Sequence, residues 1–238
     1  MRKNISRIAL GLTMLLVMPS TILAQKHELQ AVDLGLSVKW ANMNVGASSP
    51  FEYGNYYAWG EISEKRFYYF LIESTHIKID IIGSGDPNNS SASYNILKYS
   101  HEDALVQLES ADDAAFQNCG KNWHIPTQDQ MKELVEQCDW TPSIQNGTKG
   151  YMVKSRVNGN FIFLPLTGFK TGHETKGSQR QYCTTQGYYW TSTLADSKDK
   201  MDATVLMLQK SEKKGDAGYF LLMPLHRTTG CVIRAVTK

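Results

Sequence analysis

Cysteines, histidines, a spaced run of aspartates and several aromatic runs are the side chains in this 238-residue chain whose chemistry could reach beyond packing. The six histidines, at 27, 76, 101, 124, 173 and 226, are scattered. No HExxH, GxSxG or P-loop pattern gathers them, or any serine or lysine, into a catalytic set. His124 precedes Ile125-Pro126 and reads as a packing residue, and His173-Glu174 reads as part of a solvated loop. Asp196, Asp199 and Asp202 recur every three residues, but Lys198 and Lys200 interrupt them. A hard cation takes about six to eight oxygens, so this run reads as a polar loop and not a calcium site. No metal and no cofactor is expected.

The four cysteines, Cys119, Cys138, Cys183 and Cys231, form no CxxC and no Cys/His cluster. An even count in an exported chain points to disulfides, with three possible connectivities. The pairing Cys119–Cys138 with Cys183–Cys231 is favoured. An extended run from Cys119 to Pro126 covers about 20 Å and a helix from Thr127 to Cys138 returns about 18 Å, so those ends can meet. Closing that loop is worth about 3 kcal/mol in a chain-entropy estimate.

Export is read from the start of the chain. Arg2, Lys3 and Arg7 precede an apolar run from Ile8 to Met18, and Ile22-Leu23-Ala24 supplies a small-residue exit. That is a signal-peptide pattern over residues 1–24, with an apolar stretch of about 11 residues, too short to span a bilayer. No other long apolar stretch follows, so no integral membrane segment is expected in the mature chain. The formal charge of +2 loses those three bases with the leader, leaving 22 bases against 23 acids. Such a balance leaves no basic excess for phosphates, so nucleic acid is not an expected partner.

The elements that must position these residues follow from periodicity. Thr127 and Gln130 form a T-x-x-Q capping box, and Met131, Leu134, Val135 and Cys138 fall on one helical stripe. Glu109–Asn118 reads as a shorter helix, and Ser49-Pro50 as the start of a single helical turn. Tyr151–Val157 and Asn160–Leu164 flank Asn158-Gly159, a type I′ hairpin signal. Tyr56–Trp59, Tyr188–Thr193, Ala203–Gln209, Tyr219–Met223 and Cys231–Val236 read as further strands, and 83–91 as a turn-rich loop within an insertion at about 62–100. Strands, a helix and then a run of antiparallel strands define an α+β class with one or two main helices, here in a single domain over 25–238. Tyr56, Tyr57, Trp59, Trp123, Tyr188, Tyr189 and Trp190 suit sugar stacking but sit in strand patterns, so most are expected in the core. Period two puts Tyr188 and Trp190 on one face and Tyr189 on the other, with at least one of the three exposed.

Several segments together resemble a known family. They are Val32-Asp-Leu-Gly-Leu-Ser-Val-Lys-Trp-Ala41 with Asn44-Val-Gly-Ala47, Glu52-Tyr-Gly54 with Tyr57-Ala-Trp-Gly-Glu61, and Trp123-His-Ile-Pro-Thr127. Phe161-Ile-Phe-Leu-Pro165 with Gly168, Gly187-Tyr-Tyr-Trp-Thr-Ser192 and Val232-Ile-Arg234 complete the set. In this order they resemble the major paralogous domain modules of Fibrobacter and Bacteroidota surface proteins. The resemblance covers about Ala31 to Val236. It implies a C-type-lectin-like fold, distantly similar to formylglycine-generating enzymes. Many relatives carry a cysteine where Met43 stands, so a family disulfide does not transfer. The Glu-Pro-Asn, Gln-Pro-Asp and Trp-Asn-Asp calcium motifs of sugar-binding C-type lectins do not occur, and Asp86-Pro87-Asn88 is a turn with few carboxylates nearby.

The resemblance implies a secreted, non-catalytic ligand-binding or adhesion module whose partner is an unknown glycan or protein. In lectin-like folds the loops corresponding to Leu194–Lys198 and His226-Arg227 often form the ligand face. Leu194, Asp196, Lys198, His226 and Arg227 are thus the candidate ligand-binding residues, with Arg227 placed to grip a carboxylate or polar glycan. A structural surface or pilus-associated subunit is the alternative. A formylglycine-generating-enzyme-like oxidase is the third reading; it needs a close reactive cysteine pair, which Cys183 and Cys231 do not match in spacing.

Overall fold

A computed structural model describes residues 28–68, 73–82, 91–172, 179–211, 213 and 217–238. The leader at 1–24, most of the 83–91 loop with Asp86-Pro87-Asn88, and His173-Glu174 lie outside the described residues.

The chain begins with β1 (Ala31–Val32) and β2 (Lys39–Ala41), then a hairpin of β3 (Ile77–Ile82) and β4 (Ser91–Ile96). A single 3-10 turn leads into α1 (Ala114–Cys119), followed by α2 (Gln128–Gln137). Next come β5 (Cys138–Gln145), β6 (Thr148–Ser155) and β7 (Phe161–Pro165), one antiparallel sheet in that order. A small pair, β8 (Phe169–Thr171) and β9 (Gln179–Gln181), precedes the long strands β10 (Gln186–Leu194), β11 (Asp202–Gln209) and β12 (Tyr219–His226), again antiparallel in sequence order. Strand β13 (Val236–Thr237) closes on β2, so the two ends of the described chain share one sheet. The architecture is α+β, dominated by antiparallel strands with two helices.

The β10–β11–β12 sheet is the centre, because both of its faces are covered. Alternation sends Tyr189, Leu206 and Leu208 into one apolar cluster, with Trp40, Leu134, Val153, Leu164 and Val232. Their neighbours Tyr188, Trp190, Ala203 and Val205 enter a second cluster, with Trp59, Tyr99, Ile125 and Ile233. All three residues of the Tyr188–Trp190 run are therefore buried, against the expectation that one would be exposed. Each polar tip has a partner: Tyr189 donates to the Pro165 carbonyl at 2.6 Å and the Trp190 indole to that of Tyr57 at 2.8 Å. Strand β12 lies at the edge of this sheet. The Arg227 amide donates to the Met201 carbonyl, which fixes the alternation and turns the backbone of Pro224 towards the open side. A proline there forfeits no ladder bond and blunts the edge against further strand pairing.

Helix α2 starts as its sequence dictates, with the Thr127–Gln130 capping box formed in both directions and Met131 and Leu134 buried. It ends at Gln137, because Cys138 is already extended and opens β5. The 109–118 segment is a 3-10 turn followed by α1, which starts where the Asp113 carboxylate accepts from the amides of Ala115 and Phe116. Ser49-Pro50 forms a turn without a helix. The tight turn falls at Asn146-Gly147, both left-handed (φ 46° and 80°), with Gln145 directly opposite Thr148. Asn158-Gly159 lies in a longer connection, where Asn158 and Asn160 donate to the Asp33 carbonyl. Tertiary contact thus overrides the local turn signal. Cys231–Val236 is extended but is not one strand: isolated bridges pair Cys231 with Tyr57 and Val232 with Tyr189 before β13 begins.

No disulfide joins the four cysteines in this structure, where each stands as a free thiol. Cys138 is buried in the cluster on one face of the central sheet, while Cys119 packs against the cluster on the other. Cys183 donates its thiol to the Thr167 carbonyl at 3.0 Å, and Cys231 is fully enclosed.

The ends of the fold meet on Arg234, which is wholly buried. It donates to the Asn44 side chain at 2.8 Å and to the carbonyls of Ala41 and Phe163 at 3.1 and 2.8 Å. A lysine keeps the charge but cannot span three acceptors in a plane. Arg234→Lys is expected to lower unfolding stability by about 2 kcal/mol or more, read from the denaturant midpoint at unchanged slope.

Candidate functional site

The loop after β10 and the turn after β12 converge at one end of the central sheet. Asp202 sits opposite His226 across β11 and β12, and the Ala195 amide donates back to the Asp202 carbonyl. The candidate loop residues thus lie together, but they divide by environment. Leu194 is buried, with its amide bonded to the Val106 carbonyl. Asp196 and Lys198 are exposed, and the Lys198 carbonyl meets the His101 ring at 2.9 Å. His226 is half-buried, with Nδ1 2.8 Å from the Thr228 hydroxyl. A shallow hollow of about 190 Å³ beneath the loop is lined by Gln128, Asp196, Thr204 and Met223, among others.

Arg227 is not part of the open face. It is 1% exposed, and its guanidinium lies over the rings of Trp59 and Tyr99, 4.9 and 5.7 Å from their centroids. It donates to the carbonyls of Lys98, Tyr99 and Lys200 at 3.2, 3.4 and 3.1 Å. Burial lowers its pKa to about 10, opposed by Tyr99, Asp103 and Asp112. Arg227 therefore anchors the loop from below and pins the end of the β3–β4 hairpin to it. The expected ligand-gripping role does not fit a side chain with this orientation.

A polar network surrounds that anchor. Asp112 accepts from Lys98 at 2.6 Å and from the Tyr99 hydroxyl at 2.5 Å, and His76 Nε2 lies 3.1 Å away without a hydrogen bond. Burial would raise the Asp112 pKa, but hydrogen bonds from Lys98 and Tyr99 outweigh it and hold the carboxyl below its ordinary value. His76 moves the other way: burial lowers its pKa, Asp112 opposes, and Arg227 and Lys98 add to the lowering. Sequence patterns did not reveal this cluster, since its members come from distant segments and match no motif.

Chemistry at the thiols is disfavoured by their surroundings. Burial pushes Cys119 and Cys138 up to about 11, Cys231 well above its ordinary value, and Cys183 upward against the nearby Arg180. A protonated thiol is a poor nucleophile. Among the described residues, no group of three His, Cys, Asp or Glu side chains converges to hold a metal, and no helix is long and apolar enough to cross a membrane. No protein-family model, curated protein or solved structure matches the chain.

Two outcomes are expected. In denaturant without reductant, Ellman titration yields four thiols, whereas in the native protein Cys138 and Cys231 stay unreactive at neutral pH. For acidification, His76 and His226 both have pKa values below the ordinary 6.5 when folded, from burial. The unfolded chain then binds protons that the folded chain refuses, so their contribution is intact above about pH 6.5 and is lost as pH falls towards the folded values. The melting temperature should drop between about pH 7 and 5.5, and His76→Gln should flatten that drop.

Proposed function

We propose that this chain is an exported, C-type-lectin-like binding module of the major paralogous domain type, without catalytic activity, that recognises a glycan or protein through the loops at the β10–β11 end. The observation that carries this reading is the convergence of the 194–200 loop and the 226–228 turn over a buried arginine anchor. Binding sites favour loops held by a rigid scaffold, because ordering entropy is then already met by the fold. Asp196 and Lys198 offer opposite charges from such a loop, above a hollow with polar and apolar walls. The raised thiol pKa values and the enclosure of Cys231 favour binding over the oxidase reading.

Glycan and protein arrays probed with the wild type and an Asp196→Ala/Lys198→Ala variant test this. Selective binding weakened about tenfold in the variant is expected, with an unchanged melting temperature. Wild-type binding that the variant retains in full would remove this face from the site, and no binding to either array would count against the module reading itself.

A further inference from the structure

The opposite end of the central sheet carries a different surface. There the start of β10, the end of β11 and the start of β12 meet the β5–β6 hairpin and the 182–185 turn. Two contiguous hollows of about 210 and 550 Å³ share Lys149 and Lys210 in their walls. The larger adds Lys213, the Thr184 and Thr185 side chains and Tyr219, and the smaller adds an apolar shelf of Pro142, Ile144 and Leu166. Among the described residues no carboxylate lines either hollow, and none of the three lysines has an ion pair.

The trough is framed by fixed backbone. Tyr182 and Thr184 both hold left-handed conformations, φ 56° and 71°, which are costly for non-glycine and above all for β-branched residues. Three backbone bonds hold them there: Thr184 to Leu166 at 3.0 Å, Gln186 to Tyr182 at 2.9 Å and Lys210 to Thr185 at 3.1 Å. The walls are thus formed before any ligand arrives.

We infer that this trough binds an acidic saccharide, a chain whose sugars carry carboxylates or sulfates. Lysine ammonium groups act as point charges for such anions without demanding the flat two-point geometry of arginine. The Thr184 hydroxyl supplies a partner for sugar hydroxyls, and the Thr185 hydroxyl, which donates to the Tyr182 carbonyl at 3.0 Å, can still accept. Tyr219, 62% exposed, and Ile144, 66% exposed, offer apolar surface to ring faces. No glycine-rich loop or helix start enters the trough to cradle a phosphate. The inference rests on the binding-module reading but uses a separate site.

Calorimetry with defined probes tests it: tetragalacturonate for carboxylates, a chondroitin sulfate tetrasaccharide for sulfates, maltotetraose as the neutral control and hexaglutamate as an acidic peptide. At least one acidic tetrasaccharide should bind about tenfold or more tightly than maltotetraose and hexaglutamate, with affinity falling as salt rises. Which of the two binds identifies the anion. Lys149→Glu/Lys210→Glu should abolish that binding, while Lys154→Glu, on an exposed lysine outside the trough, should retain it; melting curves confirm that both variants fold. Equal binding of the neutral sugar, equal binding of the peptide, undiminished binding by the double variant, or no binding of either acidic sugar would each overturn the inference. Array binding through Asp196 and Lys198 is read separately, so the trough can fail while the module reading stands.

Discussion

A guanidinium wholly removed from water, with no carboxylate ion-paired to it among the described residues, is the constraint on which the rest of this fold depends. Burying Arg234 is tolerable only because the side chain has three acceptors in hydrogen-bond range. Burial brings its pKa down to about 10 against the opposing effect of Tyr189, so the site keeps the charge but at a cost. Its acceptors lie 71, 190 and 193 residues away in sequence. The single side chain therefore joins the segment after β2, strand β7 and the run into β13. The motif segments Asn44-Val-Gly-Ala47, Phe161–Pro165 and Val232–Arg234 meet on it, which explains why they stand out as structural residues and not as chemistry.

The same logic repeats around the central sheet. The Trp59 indole donates to the Thr191 carbonyl while the Trp190 indole donates to that of Tyr57, each at 2.8 Å. The strap at Tyr56–Trp59 is stitched to β10 from both sides, and Tyr56 adds a bond to the Thr167 carbonyl. Such contacts close both faces over β10 and β11, while β12 keeps exposed residues such as Leu221 and Pro224. At its two ends loops and turns leave the scaffold. Arg227 shows how firmly one of those ends is held, because a cation that could have faced solvent is spent on three carbonyls and two rings.

Elements with a strong period were legible in the sequence. The α2 stripe and cap, the β6–β7 pair and the three central strands all follow from local pattern. What failed was whatever distant partners decide. Strand β5 carries Pro142 and polar residues and is not among the strands expected from the sequence, yet it pairs with β6 through eight positions because the Asn146-Gly147 turn folds it back. The Asn158-Gly159 signal was outweighed by the pull of Asp33. The cysteine spacing gave reach but not direction, and the thiols at 119 and 138 sit on opposite sides of the central sheet. Of the candidate loop residues, proximity was legible but orientation was not: Leu194 and Arg227 turn inward, and only neighbours far along the chain show why.

Net charge was the least informative property until the acids were placed. Asp113 caps α1 and accepts the Ile125 amide, Asp103 accepts amides from Tyr99, Ser100 and Leu105, and Glu61 binds Thr75 and Lys65. Glu133 holds the Ser37 amide and hydroxyl, and Asp112 accepts from Lys98 and Tyr99. Many carboxylates are therefore consumed inside the fold as hydrogen-bond acceptors. Lys65 and Lys98 join these networks as donors, whereas Lys149, Lys210 and Lys213 are exposed and take no part in them. They remain at the surface, and at the 149–210 trough they gather without acids beside them among the described residues. A chain that is nearly neutral in sum thus gathers lysines at this trough, because many of its carboxylates serve as acceptors elsewhere in the fold.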